Sequence, residues 1–345
     1  MRQRGGEVGI VLLVLVPVAA CLATIGGTRA YRALAIRRGI VANPNFRSLH
    51  ERPIPRGGGI VLACVCVTFM SVAAWLAPAG DGLIRALVIG GGAAAAFGFL
   101  DDVVHVRATI KFAVQGLLAV WVLICVGARP LVHVPFVPEA AELAMSWLGL
   151  VWLMNLYNFM DGIDGMAASG AVLISAIAIV LAWISVPDET LILSLSLVAM
   201  CSLGFLVFNW PPASIFMGDA GSLFLGLSFG ALIASTVSRG QIEMWSWLVM
   251  FGYFAGDTTT TTFLRILVTK KWYGEHRSHA YQNLARVGGS HLRVVCGVML
   301  YHVVWLLPLA LWSVLVPSAA PVAALLALGP VVVWTWRYGP LLSSS

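Results

Sequence analysis

The 345-residue sequence predicts an all-α fold, a polytopic bundle of about eleven membrane-spanning helices, on three observations. Hydrophobic residues make up 60% of the chain and charged residues 10%, with a mean hydropathy of +0.92, too apolar for a soluble domain. The apolar residues fall into runs of about 20, the length that crosses a hydrocarbon core of about 30 Å. Lys and Arg are shared unequally between alternate connections, as expected of a chain threaded back and forth through a bilayer.

Taken in order, the first run covers 8–28 and follows Arg2 and Arg4; it is too long for the apolar part of a secretory signal and reads as an anchor. The runs 57–77, 82–100, 110–128, 141–157, 163–185, 189–209 and 221–237 follow, each bounded by charge, Gly or Pro. The ninth, 243–267, carries Asp257 in its middle and a five-threonine run after it. It predicts a helix that bends near Gly256 and Asp257 and continues along the membrane surface with its apolar side turned to lipid. Runs 294–315 and 318–336 complete the set, the last ending in an interfacial anchor of Trp334, Trp336 and Tyr338.

With eleven crossings, one set of connections holds Arg2, Arg4, Arg85, Arg129 and Arg239, and the other set holds the remaining sixteen of the 21 Lys and Arg. The positive-inside rule places the sixteen in the cytoplasm, with the N-terminus outside and the C-terminus in the cytoplasm. The net charge of +6 is therefore a topological signal and calls for no nucleic-acid partner. The six cysteines all lie within the runs and read as packing residues. Residues 1–345 read as a single integral-membrane domain.

Four connections on the basic side also collect polar and acidic groups. FLDDVVHVRATIK has adjacent Asp101 and Asp102, whose mutual repulsion calls for a cation, a base or a retained proton, followed by Arg107 and Lys111. NLYNFMDGIDGMAASG spaces Asn155, Asn158, Asp161 and Asp164 three apart, which on a helix lines four oxygen-bearing side chains along one face. Gly162 and Gly165 interrupt that helix and leave room for a ligand against the backbone. Oxygen donors of this kind suit a hard cation such as Mg²⁺ and the phosphates it carries, so Asn158 is a candidate metal ligand and Asn155 a binding residue. An Asn/Asp/Gly turn is the plainer reading.

NWPPASIFMGDAGSL places Asn209 at a helix end, then Phe216, then Asp219 before the next run. Asp219 reads either as an N-cap or as part of a phosphate and metal site with Gly218, Gly221 and Ser222. KKWYGEHRSHAYQNLAR reads either as a basic segment against anionic lipid headgroups or, with His276, Arg277 and His279, as a site for an anionic ligand, here a diphosphate. His-x-x-His without a Cys or third His nearby makes zinc a poor fit. NPNFRSLHERPIPRGGG adds Arg56 and three more bases as a basic cap. Because these clusters share one face under a topology drawn from Lys and Arg alone, one aqueous site at the cytoplasmic membrane surface is the economical reading.

The DD pair, N-x-x-N-x-x-D-G-x-D-G and N-x-P-x₅-M-G-D-x-G-S, in that order, resemble the polyprenyl-phosphate N-acetylhexosamine-1-phosphate transferase superfamily, the integral-membrane glycosyltransferase family 4. The likeness runs from about His50 to Gln282. It implies transfer of a sugar 1-phosphate from a UDP-N-acetylhexosamine to polyprenyl (undecaprenyl) phosphate with release of UMP. It also implies a need for Mg²⁺, with Mn²⁺ as a substitute, and a site facing the cytoplasm in a bacterial inner membrane. By motif, the resemblance makes Asp219 a Mg²⁺ ligand, gives Asp101 and Asp102 to the acceptor phosphate, and gives Asp161, Asp164, Asn209 and Phe216 to the nucleotide, Phe216 against uracil. His279 matches the first histidine of the family's His-rich loop and joins the catalytic set. That loop usually reads D-x-x-H-x-H-H, whereas here Ala280 and Tyr281 follow His279. The departure resembles the branch that starts O-antigen, lipopolysaccharide or related surface polysaccharides. A homodimer is compatible with the reading. Two alternatives are weaker. A CDP-alcohol phosphatidyltransferase would need D-G-x-x-A-R, which is missing, and a secondary transporter would show repeated halves with charges near the midplane.

Overall fold

The computed structural model describes residues 2–42, 53–76, 81–268 and 278–340. Helices dominate, as the run lengths predict: α1 (Arg2–Arg38), α2 (Gly59–Leu76), α3 (Gly82–Val104), α4 (Ala108–Val126), α5 (Glu139–Met160), α6 (Met166–Ser185), α7 (Glu189–Asn209), α8 (Gly218–Ser238), α9 (Met244–Met250), α10 (Gly252–Val268), α11 (Ala280–Gly288), α12 (His291–Leu315) and α13 (Pro317–Tyr338). A two-residue ribbon pairs β1 (Val41–Ala42) with β2 (Ile54–Pro55). Local capping sets several starts: Asp81 accepts from the Leu83 N–H ahead of α3, and Asp188 from the Leu191 N–H ahead of α7.

Among the described residues, nine helices are long and apolar enough to cross a membrane, and the chain is a multi-pass membrane protein. The other two expected crossings differ. The run 57–77 forms α2, whose 18 residues give about 27 Å, the lower limit for a crossing. The run 243–267 is broken into α9 and α10 at Phe251, not at Gly256 and Asp257. Asp257 sits inside a regular helix with one carboxylate oxygen satisfied: Oδ1 accepts from the Thr261 and Thr335 hydroxyls at 3.2 and 3.1 Å and from the Ala280 N–H at 3.1 Å.

The centre of the bundle is α8, of which 94% of the apolar window is buried. It packs against α2, α3, α4 and α5, while α1 and α6 flank α7, and α10 lies against α13. Lipid offers no hydrophobic drive to pair helices, so close contact depends on small residues. Where α2 crosses α8, a Cβ on Gly59 would sit 2.4 Å from Gly221 Cα, so both glycines are used for backbone approach. The β-ribbon is tied to the start of α8 by Phe216 N–H to Pro55 O (2.8 Å) and Gly58 N–H to Phe216 O (2.9 Å), which brings Arg56 to the same end.

Candidate active site

Four carboxylates converge at one end of the bundle. Asp101 and Asp102 lie in the last turn of α3, Asp161 follows α5, and Asp219 is the second residue of α8. Two cations pair with three of them. Lys111, in the first turn of α4, pairs with buried Asp101 and lies 3.4 Å from Asp219 Oδ2. Arg56 places Nε 3.0 Å from Asp102 Oδ1 and a terminal nitrogen 3.8 Å from Asp219 Oδ1.

Asp102 caps a helix other than its own. Its Oδ1 accepts from the Asp219 N–H at 3.0 Å and its Oδ2 from the Ala220 N–H at 3.2 Å, at the positive end of the α8 dipole. Gly218, at φ +74°, makes the approach possible, since a Cβ there would meet Asp102 Oδ2 at 2.5 Å. Asp219 is thus not the cap of α8. Its side chain is left for the cluster, where Asn158 Nδ2 donates to Asp219 Oδ1 at 2.9 Å and to Ser222 Oγ at 3.1 Å. Burial pushes Asp161 well above the usual carboxylate range, and the charges of Asp219 and Asp102 add to that, against the Gly218 N–H and Arg56.

The other expected site residues that the structure describes have partners of their own. Asn155 lies one turn before Asn158 on α5, and its amide pairs with Gln115, Nδ2 donating to Oε1 at 2.8 Å. The three-residue spacing holds on the helix for Asn155 and Asn158 and stops there, because α5 ends at Met160 and Asp161 leaves it at φ −82°, ψ 33°. Asn209 is buried with both ends of its amide used, Oδ1 accepting from the Gly165 N–H (3.0 Å) and Nδ2 donating to Ile215 O (2.9 Å). In this structure it braces two turns against each other and has no end turned to a nucleotide. Asp164 Oδ2 accepts from the Ala213 N–H at 3.0 Å and lies 3.1 Å from His291 Nδ1. Phe216 is half-buried on the connection into α8. Nor is the space over Gly162 kept for a ligand: a Cβ there would meet Tyr281 Oη and Gln282 Nε2, each at 2.2 Å.

His279 is buried at the N-cap position of α11, its ring 5.7 Å from both Phe159 and Tyr281 and its Nδ1 3.8 Å from Asp257 Oδ2. His276 and Arg277 lie outside the described residues. Burial holds the His279 imidazole down to about 3, with Arg265 adding to the effect. A depressed folded-state value favours the native protein while the ring is neutral, an advantage lost as pH falls below the unfolded value of about 6.5 toward about 3. Going from pH 7 to pH 5 should therefore cost about 2 kcal/mol through this group. Thermal unfolding in detergent at both pH values checks it: His279→Gln should lose less stability over that interval than the unaltered protein, and an equal loss would remove His279 as the source.

Three residues of the site carried little signal along the chain. Arg56 reads there only as one of several bases, Lys111 as a charge at a helix start, and His291 sits in no motif. Their partners are 46, 10 and 127 positions away, so no local spacing marks them.

The sequence profile described as glycosyl transferase family 4 matches residues 84–237. The chain is 31% identical to the probable undecaprenyl-phosphate N-acetylglucosaminyl 1-phosphate transferase of Bacillus subtilis (strain 168), over 82% of this chain and 80% of that protein. It is 30% identical to the decaprenyl-phosphate N-acetylglucosaminephosphotransferase of Mycolicibacterium smegmatis, over 87% and 82%. It is 36% identical to the phospho-N-acetylmuramoyl-pentapeptide-transferase of Halalkalibacterium halodurans over a shorter stretch, 54% of this chain and 60% of that one.

Proposed function

Because this chain belongs to the polyprenyl-phosphate hexosamine-1-phosphate transferases of glycosyl transferase family 4, we propose that it moves a sugar 1-phosphate from a UDP-N-acetylhexosamine to a polyprenyl phosphate. The observation that carries this reading is the meeting of Asp101, Asp102, Asp161 and Asp219 with Lys111 and Arg56 at the N-terminus of the most buried helix. An oxygen of the acceptor phosphate attacks the sugar-bearing phosphorus, the bond from that phosphorus to the bridging oxygen breaks, and UMP leaves. Both reactants are anions, so the chain's task is alignment and charge neutralisation more than deprotonation.

The donor set fits Mg²⁺. Asp219 and Asn158, 2.9 Å apart, would supply hard oxygens, and among the described residues no cluster of three or more His, Cys, Asp or Glu forms a metal cage. A cation that binds through one or two carboxylates and completes its shell with water and substrate phosphate suits such a site. Bound there, Mg²⁺, or Mn²⁺ in its place, supplies Lewis-acid neutralisation of the diphosphate. Arg56 and Lys111 balance the acids so that a polyanion can approach. Asp102 fixes the backbone of α8 and with it the direction of the Asp219 side chain. Asp101, paired with Lys111, is the carboxylate left to orient the acceptor phosphate.

The site lies on the cytoplasmic face of the inner membrane in this proposal, supported by the sixteen-to-five division of Lys and Arg. The names of the relatives matched over most of the chain support N-acetylglucosamine among the donor sugars. The HRSHAYQNL loop, with Ala280 and Tyr281 after His279, supports a product that starts a lipid-linked surface polysaccharide such as O-antigen. Purified protein, Mg²⁺, polyprenyl phosphate and a panel of UDP-N-acetylhexosamines labelled in the sugar test the proposal. Label should pass into a lipid extract as UMP appears in the aqueous phase, and its retention in the aqueous phase with every sugar would refute the assignment.

A further inference from the structure

Residues 281–291 are clamped to the turn between α5 and α6 from two sides. At one end of α11, Tyr281 donates its hydroxyl to Phe159 O at 2.6 Å, and the Tyr281 and Gln282 side chains cover Gly162. At the other end, Ser290 caps α12 by accepting from the Arg293 N–H at 3.2 Å, and the next residue, His291, reaches back to the same turn. His291 Nδ1 is 3.1 Å from Asp164 Oδ2, and the Asp164 N–H is 3.4 Å from the same nitrogen. The carboxylate oxygen is the nearer partner and, being charged, the stronger one, so it takes the Nδ1 proton. The Ala213 N–H binds Oδ2 as well, which ties in the connection that leads to Phe216. Among the described residues, His291 Nε2 is buried without a hydrogen-bond partner.

We infer that His291 is a positioning residue for the donor nucleotide, holding the Asp164 carboxylate by its Nδ1–H so that the turn after α5 and the Phe216 connection keep the geometry that binds the UDP moiety. The inference rests on the reading that Asp164 serves the nucleotide. Two donors, His291 and Ala213, converge on Oδ2 alone, which fixes the rotation of the carboxyl plane and thereby aims Oδ1. A hydrogen bond to a carboxylate is worth about a tenfold change in an equilibrium that depends on it. Only one ring nitrogen takes part, which separates the side chains able to replace it. The amide nitrogen of Asn falls near the position of Nδ1, and that of Gln near Nε2.

The test uses the purified full chain with UDP-N-acetylglucosamine as the probe donor, polyprenyl phosphate and Mg²⁺, and compares His291→Ala, His291→Asn, His291→Gln and Asp164→Asn. Two readouts are taken: KM for each substrate separately, and the rise in melting temperature produced by UMP, which needs no turnover. His291→Ala should raise the donor KM about tenfold and shrink the UMP-induced rise, with the acceptor KM within about twofold of the unaltered protein. His291→Asn should restore most of both effects and His291→Gln little. If Asp164→Asn weakens donor binding and His291→Ala does not, the role of His291 is overturned while the nucleotide reading of Asp164 stands. If Asp164→Asn leaves donor KM and the UMP response unchanged, the nucleotide reading itself fails. If His291→Ala raises both KM values alike and His291→Asn rescues neither, the histidine is a fold element only and the inference is wrong.

Discussion

Asp219→Asn is expected to lower transfer by a factor on the order of 10³ or more while the protein stays folded. The carboxylate stands at the first turn of α8, 2.9 Å from Asn158 Nδ2 and 3.4 Å from Lys111 Nζ, among three other acids. Asparagine keeps its size and one acceptor but loses the charge that a hard cation and its phosphates require, a loss of several kcal/mol at about 1.4 kcal/mol per tenfold. Stability should hold or rise, because Asp101, Asp102 and Asp161 repel the charge that is removed. Turnover with saturating Mg²⁺ and a melting curve in detergent give the two readings. Activity within about tenfold of the unaltered protein would exclude Asp219 from the metal site, and a collapsed melting curve would mean that the fold, not the chemistry, depends on it.

Lys111→Met is expected to affect stability as well as activity. Lys111 is the partner of Asp101, whose carboxylate is 2% exposed, and it also reaches Asp219. Breaking a buried pair strands a charge at a cost of roughly 3–5 kcal/mol; the lysine is a third exposed, so about 2–3 kcal/mol is expected here. The double variant Lys111→Met/Asp101→Asn removes the stranded charge and should recover most of that stability. It should not recover transfer, because both the cation facing the diphosphate and the carboxylate facing the acceptor are then missing. Melting temperatures and turnover of the two singles and the double form a closed cycle. Additive losses of stability would show that Lys111 and Asp101 do not depend on each other.

Both expectations use groups that are near one another only in the folded chain, and that marks how far the sequence reaches. Composition and run length determine the class: a crossing needs about 20 apolar residues in a row, and the runs that hold Ile174, Leu195 and Phe224 have that length. The ends of those runs also locate the acids, because a carboxylate is excluded from hydrocarbon and Asp101, Asp102, Asp161 and Asp219 have nowhere else to go. Which group each acid would meet was open until the helices packed. The N–H groups that bind Asp102 lie 117 and 118 residues away, and no periodicity links a carboxylate to the start of another helix. For the same reason the partners of the Asn209 amide, the Gly165 N–H and Ile215 O, and the burial of His279 could not be read along the chain. The break falls at Phe251, five residues ahead of Gly256, and the helix runs through Asp257, whose Oδ1 is met by Thr335 and Ala280 from distant segments. Local sequence determines which segments become helices because burial and backbone hydrogen bonding act over neighbouring residues. The tertiary structure decides the site because a charged group at a helix end is satisfied by whichever donor the packing brings within 3 Å.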